Sequence, residues 1–306
     1  MQPRSYVRPT LEPVAGLRQK AFLMKAFAKP RFDFLWHLHP EVELTYIQKG
    51  YGVRYVGTSI QPFYEGDLCL LGGNLPHAYG SDPRHKGVCR WMVLHFRPEF
   101  WGDAFWRLTE NRSLTALLRV SRQGLRFSGG IAAAVGKCMA DLQDMPAGDG
   151  RRLLCFLEIL HQLNSAEERT KLNGGAQPES GKTVDPRVGQ VLQWLEEHAM
   201  EEIAQEEVAG LIGMSAPAFS RFFHHKTGKL FSQHLNEMRV ARAQTALFTT
   251  RKSVAEIAFE SGFNNLANFN RRFAEITRMT PSEYRRRSGA VETPYSEGLR
   301  KGGGAI

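Results

Sequence analysis

The hydrophobic and polar positions between residues 206 and 284 follow one pattern twice. In each copy a short apolar stretch ends at a glycine, Gly213 or Gly262, and phenylalanines at helical spacing follow it. An internal repeat of about 50 residues indicates one supersecondary unit used twice. The spacing predicts a helix on either side of each glycine, and a glycine-hinged pair of helices is typical of a helix-turn-helix unit.

Helix start signals agree with this interpretation. Residues 253–256 (Ser-Val-Ala-Glu) form a capping box, in which the serine and the glutamate each bond to the other's backbone amide. Residues 280–283 (Thr-Pro-Ser-Glu) form a second one, with proline at the first helical position. Between the copies, residues 232–248 predict one helix of about 25 Å, a suitable strut for two reading helices about 34 Å, or one duplex turn, apart.

The polar faces of the two second helices carry side chains that suit the edges of DNA bases. Arginine can contact guanine, asparagine can contact adenine, and small residues allow a close approach to the major groove. Asparagine is a poor helix former, so the asparagine-rich second copy favours a reading surface, although each single residue could equally be solvated or cap its helix. The phenylalanines opposite are expected to be core. The candidate DNA-binding residues are Ala216, Pro217, Ser220, Arg221, Asn264, Asn265, Ala267, Asn268 and Arg271.

This stretch strongly resembles the AraC/XylS family of bacterial transcription regulators. The resemblance rests on residues 253–258, on Gly262-Phe263 and on residues 280–284, and it extends over both copies. It implies two helix-turn-helix units that bind double-stranded DNA and change the recruitment of RNA polymerase, more often as an activator. Pro217 departs from the family pattern, in which many members carry a polar or bulky residue at this place.

The N-terminal half has a different texture. From about residue 22 to residue 96, short alternating runs are punctuated by glycine and proline, which predicts an antiparallel sandwich or barrel. Strands are expected at 42–48, 53–56, 67–71 and 88–96. Helices are expected between residues 98 and 163, and the wide apolar face of the last one must be buried. The resemblance implies that part of this face forms a homodimer contact.

Four residues in this half, His37, His39, Glu43 and His77, resemble the cupin pattern of two histidines, a glutamate and a last histidine in a second motif. The first three share parity, so they point to one side of an extended strand. Three roles stay open: a divalent-metal site, a polar cluster that contacts a small-molecule effector, and a structural hydrogen-bonded set. The surrounding Trp-His-x-His-x-x-x-Glu-Leu stretch is also typical of AraC-like regulators with a cupin sensor domain, where it need not imply a metal or catalysis.

Trp91 and His95 alternate with Val93 on one predicted strand and are expected to line the same cavity, with core packing as the alternative for Trp91. This interpretation requires no cofactor, and a divalent metal remains the alternative. The predicted effector-binding residues are His37, His39, Glu43, His77, Trp91 and His95.

The expected fold class is α+β with two domains. Residues 1–163 are predicted to form a cupin-like antiparallel β-barrel with helices, which binds the effector and dimerises. Residues 185–288 are predicted to form an all-α domain with the two helix-turn-helix units. The polar segment 164–184 predicts a linker, and the glycine-rich tail 289–306 is expected to be disordered.

Composition changes this picture little. The net charge of +9 suits a polyanionic partner, yet residues 1–163 hold 21 Lys and Arg against 14 Asp and Glu, whereas residues 186–288 hold 14 against 11. The basic excess is therefore not concentrated in the predicted DNA-binding half. Four scattered cysteines predict reduced thiols rather than zinc fingers. An apolar run of about 18 residues and a secretion leader are both missing, so a cytoplasmic protein without a membrane span is expected.

Three functions compete. A ligand-responsive transcription regulator, which is not an enzyme, accounts for both halves, and the resemblance favours sugars or their derivatives as effectors. A cupin enzyme that binds a metal through His37, His39, Glu43 and His77 leaves the C-terminal repeat without a role; metal analysis and a turnover assay would support it. A DNA-binding protein whose barrel only dimerises would not be stabilised by any metabolite, because a ligand specific to the native state must stabilise that state.

Overall fold

A computed structural model describes residues 10–11, 14, 17, 20–172 and 185–290. Most of the predicted N-terminal arm, residues 173–184 of the predicted linker and residues 291–306 of the predicted tail lie outside the described residues. The described part consists of an N-terminal β domain with helices and a C-terminal helical domain, which confirms the predicted class. None of the helices in these ranges is long and apolar enough to cross a membrane.

Eleven strands form the β domain in the described part of the chain. They are β1 (Thr10–Leu11), β2 (Leu23–Lys29), β3 (His37–Leu38), β4 (Val42–Lys49), β5 (Gly52–Val56), β6 (Ser59–Phe63), β7 (Leu68–Leu71), β8 (His77–Ser81), β9 (Cys89–Phe96), β10 (Leu125–Phe127) and β11 (Arg169–Lys171). A five-stranded sheet has the order β1-β3-β8-β5-β6, and a six-stranded sheet has the order β11-β10-β7-β4-β9-β2. Neighbours are antiparallel except for β1 and β3. The sheets face each other, because the side chain of His77 on β8, in the first sheet, reaches Glu43 on β4, in the second.

Four helices cover the outer face of the six-stranded sheet. They are α1 (Gly102–Arg107), α2 (Arg112–Ser121), α3 (Gly130–Asp144) and α4 (Arg151–Ser165), with short 3-10 turns at Pro98–Trp101 and Thr109–Asn111. Leu44 and Leu94 are paired in register and belong to the apolar cluster under these helices. The neighbouring pair, Glu43 and His95, lies one position along each strand from Leu44 and Leu94. These two side chains point into the barrel, because alternate residues of a strand face opposite sides. The same two strands therefore supply the outer core and the polar interior.

The N-terminal domain ends later than the sequence predicts. Helix α4 runs to Ser165, and β11 pairs antiparallel with β10. The domain thus continues through residue 172, and the boundary predicted at residue 163 is too early. All three residues of β11 are exposed and polar, so this edge strand has no hydrophobic alternation that could reveal it in the sequence.

The C-terminal domain contains seven helices among the described residues. They are α5 (Pro186–His198), α6 (Gln205–Leu211), α7 (Ala216–Thr227), α8 (Phe231–Thr249), α9 (Val254–Glu260), α10 (Leu266–Thr277) and α11 (Pro281–Ala290). Both predicted capping boxes are confirmed. The Ser253 amide donates to Glu256 Oε2 at 2.7 Å and the Glu256 amide donates to Ser253 Oγ at 3.2 Å. Thr280 and Glu283 exchange the same pair of bonds at 2.8 and 3.2 Å.

The repeat in the sequence is a repeat in the structure. Gly213 and Gly262 have φ angles of +69° and +91°, the left-handed conformation in which a glycine commonly ends a helix. At the end of each second helix a threonine hydroxyl donates to the phenylalanine carbonyl four residues earlier, at 2.7 Å for Thr227 and 2.8 Å for Thr277. Each of these threonines also accepts the amide two residues later. The predicted pair of helix-turn-helix units, α6–α7 and α9–α10, is therefore present.

Helix α8 joins the two units. Phe219 and Phe223 of the first unit pack with Met238 near the first half of α8, and Phe269 and Phe273 of the second pack with its second half. All four phenylalanines are fully buried, as predicted. Each unit is thus fixed to its own end of one helix.

The outer face of the five-stranded sheet packs directly against the C-terminal domain. Tyr55 of β5 belongs to one apolar cluster with residues of α5, α7 and α8. Lys229 Nζ donates to the Thr58 carbonyl at 2.6 Å, and Arg84 Nη2 donates to the Arg242 carbonyl at 3.0 Å. The docking surface is therefore an apolar centre with polar contacts to α8 and to the loop before it.

Candidate functional site

The predicted DNA-binding residues lie at the exposed N-terminal ends of α7 and α10. Pro217 and Arg221 are exposed on the first helix, and Ala267 and Arg271 are exposed on the second. Asn264 and Asn265 are also exposed, whereas Ala216, Ser220 and Asn268 are half-buried. The N-terminal domain thus leaves both polar faces open to solvent, so they are accessible to a duplex.

Some candidates on α10 already bond to one another. Asn265 caps the helix, since its Oδ1 accepts the Asn268 amide at 3.1 Å. Arg271 donates to Asn268 Oδ1 at 3.0 Å and pairs with Glu275 at 3.4 Å. Exposed ion pairs of this kind contribute little to stability, so Arg271 can exchange Glu275 for a base or a phosphate at small cost. Asn265 has a structural role on its own helix, which the sequence left as an alternative.

The second candidate site is the barrel interior, where His37, His39, Glu43 and His77 come together. One imidazole nitrogen of each histidine and one carboxylate oxygen of Glu43 all lie within 4.8 Å of one another. His39 Nε2 lies 3.1 Å from Glu43 Oε2, and His77 Nε2 lies 3.3 Å from the same oxygen. His95 Nε2 also lies 3.0 Å from this oxygen, so the structure brings His95, another of the predicted effector-binding residues, to the cluster.

These residues converge from two sheets. His37 on β3 pairs in register with His77 on β8, while Glu43 on β4 pairs with His95 on β9. The parity argument assumed a single strand over residues 37–43, and this is wrong, because the chain leaves the first sheet after residue 38 and enters the other at residue 42. The histidines and the glutamate nevertheless meet, because the two sheets face each other at this point.

The loop that presents His77 is tied to the histidine motif. The Asn74 amide donates to the His39 carbonyl at 2.7 Å, and Asn74 adopts a left-handed φ of 62°. Gly72 donates its amide to the Ser121 carbonyl at 2.8 Å. These two bonds hold the loop that delivers His77 to the cluster.

Burial dominates the electrostatics of the cluster. His39, Glu43, His77 and His95 are buried, and His37 is half-buried at the edge. Burial, together with the nearby His77, lowers the pKa of His37 to about 3. Burial acts to raise the pKa of Glu43, but the surrounding imidazoles, His77 foremost, outweigh it and hold that pKa well below its usual value. The interior therefore contains an ionised carboxylate surrounded by imidazoles.

Three further polar residues lie on the inner face and were not predicted as site residues. Arg54 is buried in an ion pair with Asp67, which also accepts from Arg126 Nε at 2.6 Å. Tyr79 pairs in register with Arg54, and its hydroxyl is buried. Burial raises the pKa of Tyr79 well above its usual value, so the hydroxyl stays protonated and can donate. Strand parity with His77 was the signal in the sequence that could have identified Tyr79.

Trp91 lies on the inner face, but away from the cluster. Its ring stacks on Phe27 at 5.0 Å and packs against Phe32 at 4.5 Å between centroids. Trp91 lies four positions before His95 on the same strand, which corresponds to about 13 Å. The described contacts of Trp91 are therefore those of an aromatic core, the alternative that the sequence left open.

Two family profiles match the chain. The profile of an AraC-like ligand binding domain matches residues 26–173, and that of a helix-turn-helix domain matches residues 208–287. The chain belongs to the AraC family of transcriptional regulators. As a member, it is a DNA-binding regulator of transcription, and the matched ranges coincide with the barrel and with the two units on α8.

Relatives of this AraC-family chain cover both domains. The HTH-type transcriptional activator RhaS of Klebsiella pneumoniae is 25% identical over 267 residues, which are 86% of this chain and 91% of that protein. RhaS of Citrobacter koseri is 25% identical over 271 residues, with the same two coverages. The crystal structure of ToxT from Vibrio cholerae is 13% identical with a TM-score of 0.36, and the match covers 89% of this chain and 100% of that one.

Proposed function

We propose that this AraC-family regulator activates transcription from promoters that it binds through α7 and α10, in response to a small molecule bound in the barrel. The DNA-binding part rests on the observation that α7 and α10, which are both exposed, pack against the same helix, α8. Helix α8 has 19 residues. At 1.5 Å per residue it is about 28 Å long, close to the spacing of about 34 Å between successive major grooves on one side of a duplex. Activation is supported by the relatives, which are named transcriptional activators.

The barrel interior supports a polar effector. Ligand sites combine an enclosed cavity with a few convergent polar groups. Here the imidazoles of the cluster and the Glu43 carboxylate converge from both sheets, and the Tyr79 hydroxyl is buried on the same inner face. Such groups donate to and accept from hydroxyls, so a sugar or a sugar derivative is the class of effector that we propose.

A homodimer and RNA polymerase complete the proposal. Leu153 and Leu154 on α4 are 39% and 67% exposed, and Phe100, which lines one surface depression with Leu153, is 49% exposed. Apolar side chains exposed together favour a protein contact. We therefore assign this part of α4 to self-association, and RNA polymerase is the partner through which an activator acts.

The DNA-binding part is tested with Arg271→Ala in the full chain. If Arg271 contacts a guanine, the variant loses about 1–3 kcal/mol of binding to the promoter site and little on random DNA. Arg107→Ala is the matched control, because it removes one arginine that is 80% exposed on the other domain. Footprints should show two protected patches on one side of the duplex. A single patch would mean that one of the two units does not read DNA.

The effector part is tested with His37→Ala, which alters the half-buried edge of the cluster. The variant should keep its DNA affinity without effector and lose the response to it. Genome-wide footprinting of the wild type identifies the regulated genes, whose products indicate the metabolite to assay. A normal response in His37→Ala would remove this residue from the effector site.

A further inference from the structure

The barrel contacts the second helix-turn-helix unit through the turn between β6 and β7, residues 64–67 (Tyr-Glu-Gly-Asp). The Asp67 amide donates to the Tyr64 carbonyl at 3.0 Å, and Gly66 has a φ of +85°. A bond from the fourth residue to the first, with a left-handed third residue, is typical of a type II turn, which favours glycine at that position. The turn is also anchored to β4, because the Gly66 amide donates to the Ile47 carbonyl at 2.8 Å.

Tyr64 lies between α8 and α11. Its ring packs against Phe248 in the second half of α8, with 4.4 Å between the ring centroids. Its hydroxyl is buried and lies beside the hydroxyls of Tyr284 on α11 and Thr245 on α8. Burial, together with the neighbouring Tyr284, raises the pKa of Tyr64 well above its usual value, so this phenol stays neutral at the contact.

Tyr284 continues the contact to the second DNA-binding helix. Its ring meets Phe273 of α10 edge-on, with 5.6 Å between the centroids. Phe273 is fully buried in the core of the second unit. Since closely packed side chains absorb little displacement, a shift of Tyr284 also shifts the buried side of α10, the helix whose exposed side carries Arg271.

The barrel holds the first unit in a different way. Tyr55 and Ile60 of the barrel share one apolar cluster with Phe219 and Phe223 of α7. The apolar cluster of the second unit contains no barrel residue within the described part of the chain. The position of the second unit is therefore more sensitive to Tyr64 alone.

We propose that Tyr64 is a positioning residue for the second DNA-binding helix. Its ring, packed between α8 and α11, keeps α10 at the angle at which α7 and α10 bind one duplex together. This inference rests on the proposed function, in which both helices bind DNA. A protein binds with an affinity reduced by the fraction of molecules in the competent arrangement, so a second unit that is free to turn weakens binding although no DNA-binding residue has changed.

The test uses the full chain and a duplex of about 30 base pairs, selected by the wild-type protein from random sequences and long enough for two successive major grooves. Tyr64→Ala should bind this duplex about tenfold more weakly, which lies within the range of about 5–150-fold that is typical of coupling between sites. Hydroxyl-radical footprints should lose protection in the patch that Arg271→Ala also weakens and should keep the other patch. Tyr64→Phe retains the ring and should bind like the wild type.

Phe27→Ala is the matched control, because it removes another half-buried ring of the barrel domain, one that stacks on Trp91 at 5.0 Å. It should bind the duplex like the wild type. Hydrogen exchange of the DNA-free protein separates positioning from a general loss of stability. In Tyr64→Ala the amides of α10 and α11 should exchange faster, while those of α6 and α7 keep their wild-type rates. If Tyr64→Ala does not fold, as judged by circular dichroism, Phe248→Ala decides, because it removes the other ring of the contact.

Unchanged or tighter binding by Tyr64→Ala, equal weakening of both patches, or a Tyr64→Phe variant as weak as Tyr64→Ala overturns the proposal. Two patches in the wild type with unchanged binding by Tyr64→Ala refute the positioning role and leave the proposed function intact. A single patch in the wild type refutes the proposed function of the second unit. Hydrogen exchange then decides the role of Tyr64, and equal rates in the wild type and Tyr64→Ala overturn it.

Discussion

The contact between Tyr55 and Glu196 provides a sharp test of how the two domains hold together. Tyr55 projects from the outer face of the five-stranded sheet, and its hydroxyl donates to the Glu196 carboxylate on α5. Arg242 of α8 lies 3.3 Å from the same carboxylate. Burial raises the pKa of Glu196, against the opposing effect of the Arg242 charge. A buried acid, a phenol and a guanidinium thus join elements of both domains.

The expected magnitudes follow from burial. Tyr55→Phe removes a hydrogen bond to a charged partner and should lower the free energy of unfolding by about 1.5–3 kcal/mol. Glu196→Gln leaves the Arg242 guanidinium, which is 1% exposed, without its counter-charge. Removing one member of a buried ion pair costs about 3–5 kcal/mol. Because the two residues are in direct contact, the double variant should lose less than the sum, with a coupling of about 0.5–3 kcal/mol.

This coupling is measured by urea unfolding of the wild type, both single variants and the double variant. Circular dichroism and tryptophan fluorescence monitor the unfolding. Asp103 and Arg107 provide the matched control, since they form an ion pair with side chains 88% and 80% exposed. A cycle on that pair should give about 0.3–0.5 kcal/mol. If the effects of Tyr55→Phe and Glu196→Gln simply add, within about 0.5 kcal/mol, the contact does not hold the domains together.

The remaining predictions concern single helices. Burial, and the charge of Lys229, lower the pKa of His234 to about 3. The unfolded state therefore binds the proton more tightly, so stability falls as the pH drops below about 6.5, and His234→Leu should lose about 2 kcal/mol less than the wild type between pH 7 and pH 5 in urea unfolding. Ser253→Ala removes a cap and should lower the unfolding free energy by about 1 kcal/mol, measured in the same way. Leu154→Glu should shift the protein from dimer to monomer in analytical ultracentrifugation, and an unchanged mass would exclude α4 as the contact.

The C-terminal domain could be predicted closely because its signals are local. Capping residues, hinge glycines and phenylalanines at helical spacing each act within a few positions, so Ser253, Gly262 and Phe269 identify the second unit without knowledge of its surroundings. Its two copies also confirm each other. The exposed polar faces of α7 and α10 follow once the phenylalanine side is known to be buried.

The contacts that depend on tertiary structure could not be predicted. Tyr55 and Glu196 are separated by 141 positions, and neither lies in a motif. Because alternate residues of a strand face opposite sides, only one of Arg54 and Tyr55 can face the barrel interior. The structure buries both: Arg54 pairs with Asp67 inside, and Tyr55 faces the other domain. A strand covered on both faces has no polar side, so periodicity could not show that a domain docks there.

Strand β8 separates the histidine cluster from the docked domain by the thickness of one sheet. His77 and Tyr79 point into the barrel, Ala78 lies in the apolar cluster shared with α5 and α8, and Gly80 lies so close to Glu196 that a Cβ atom would overlap the carboxylate. Successive residues share one backbone, so a ligand that displaces His77 also displaces the surface on which α5 rests, and a closely packed contact absorbs little displacement. A ligand can alter DNA affinity only by binding one docked arrangement better than another, and DNA must then alter the ligand affinity by the same factor. Glu196 also pairs with Arg242, so the contact of β8 with α5 is one connection between His77 and α8, the helix that fixes both helix-turn-helix units.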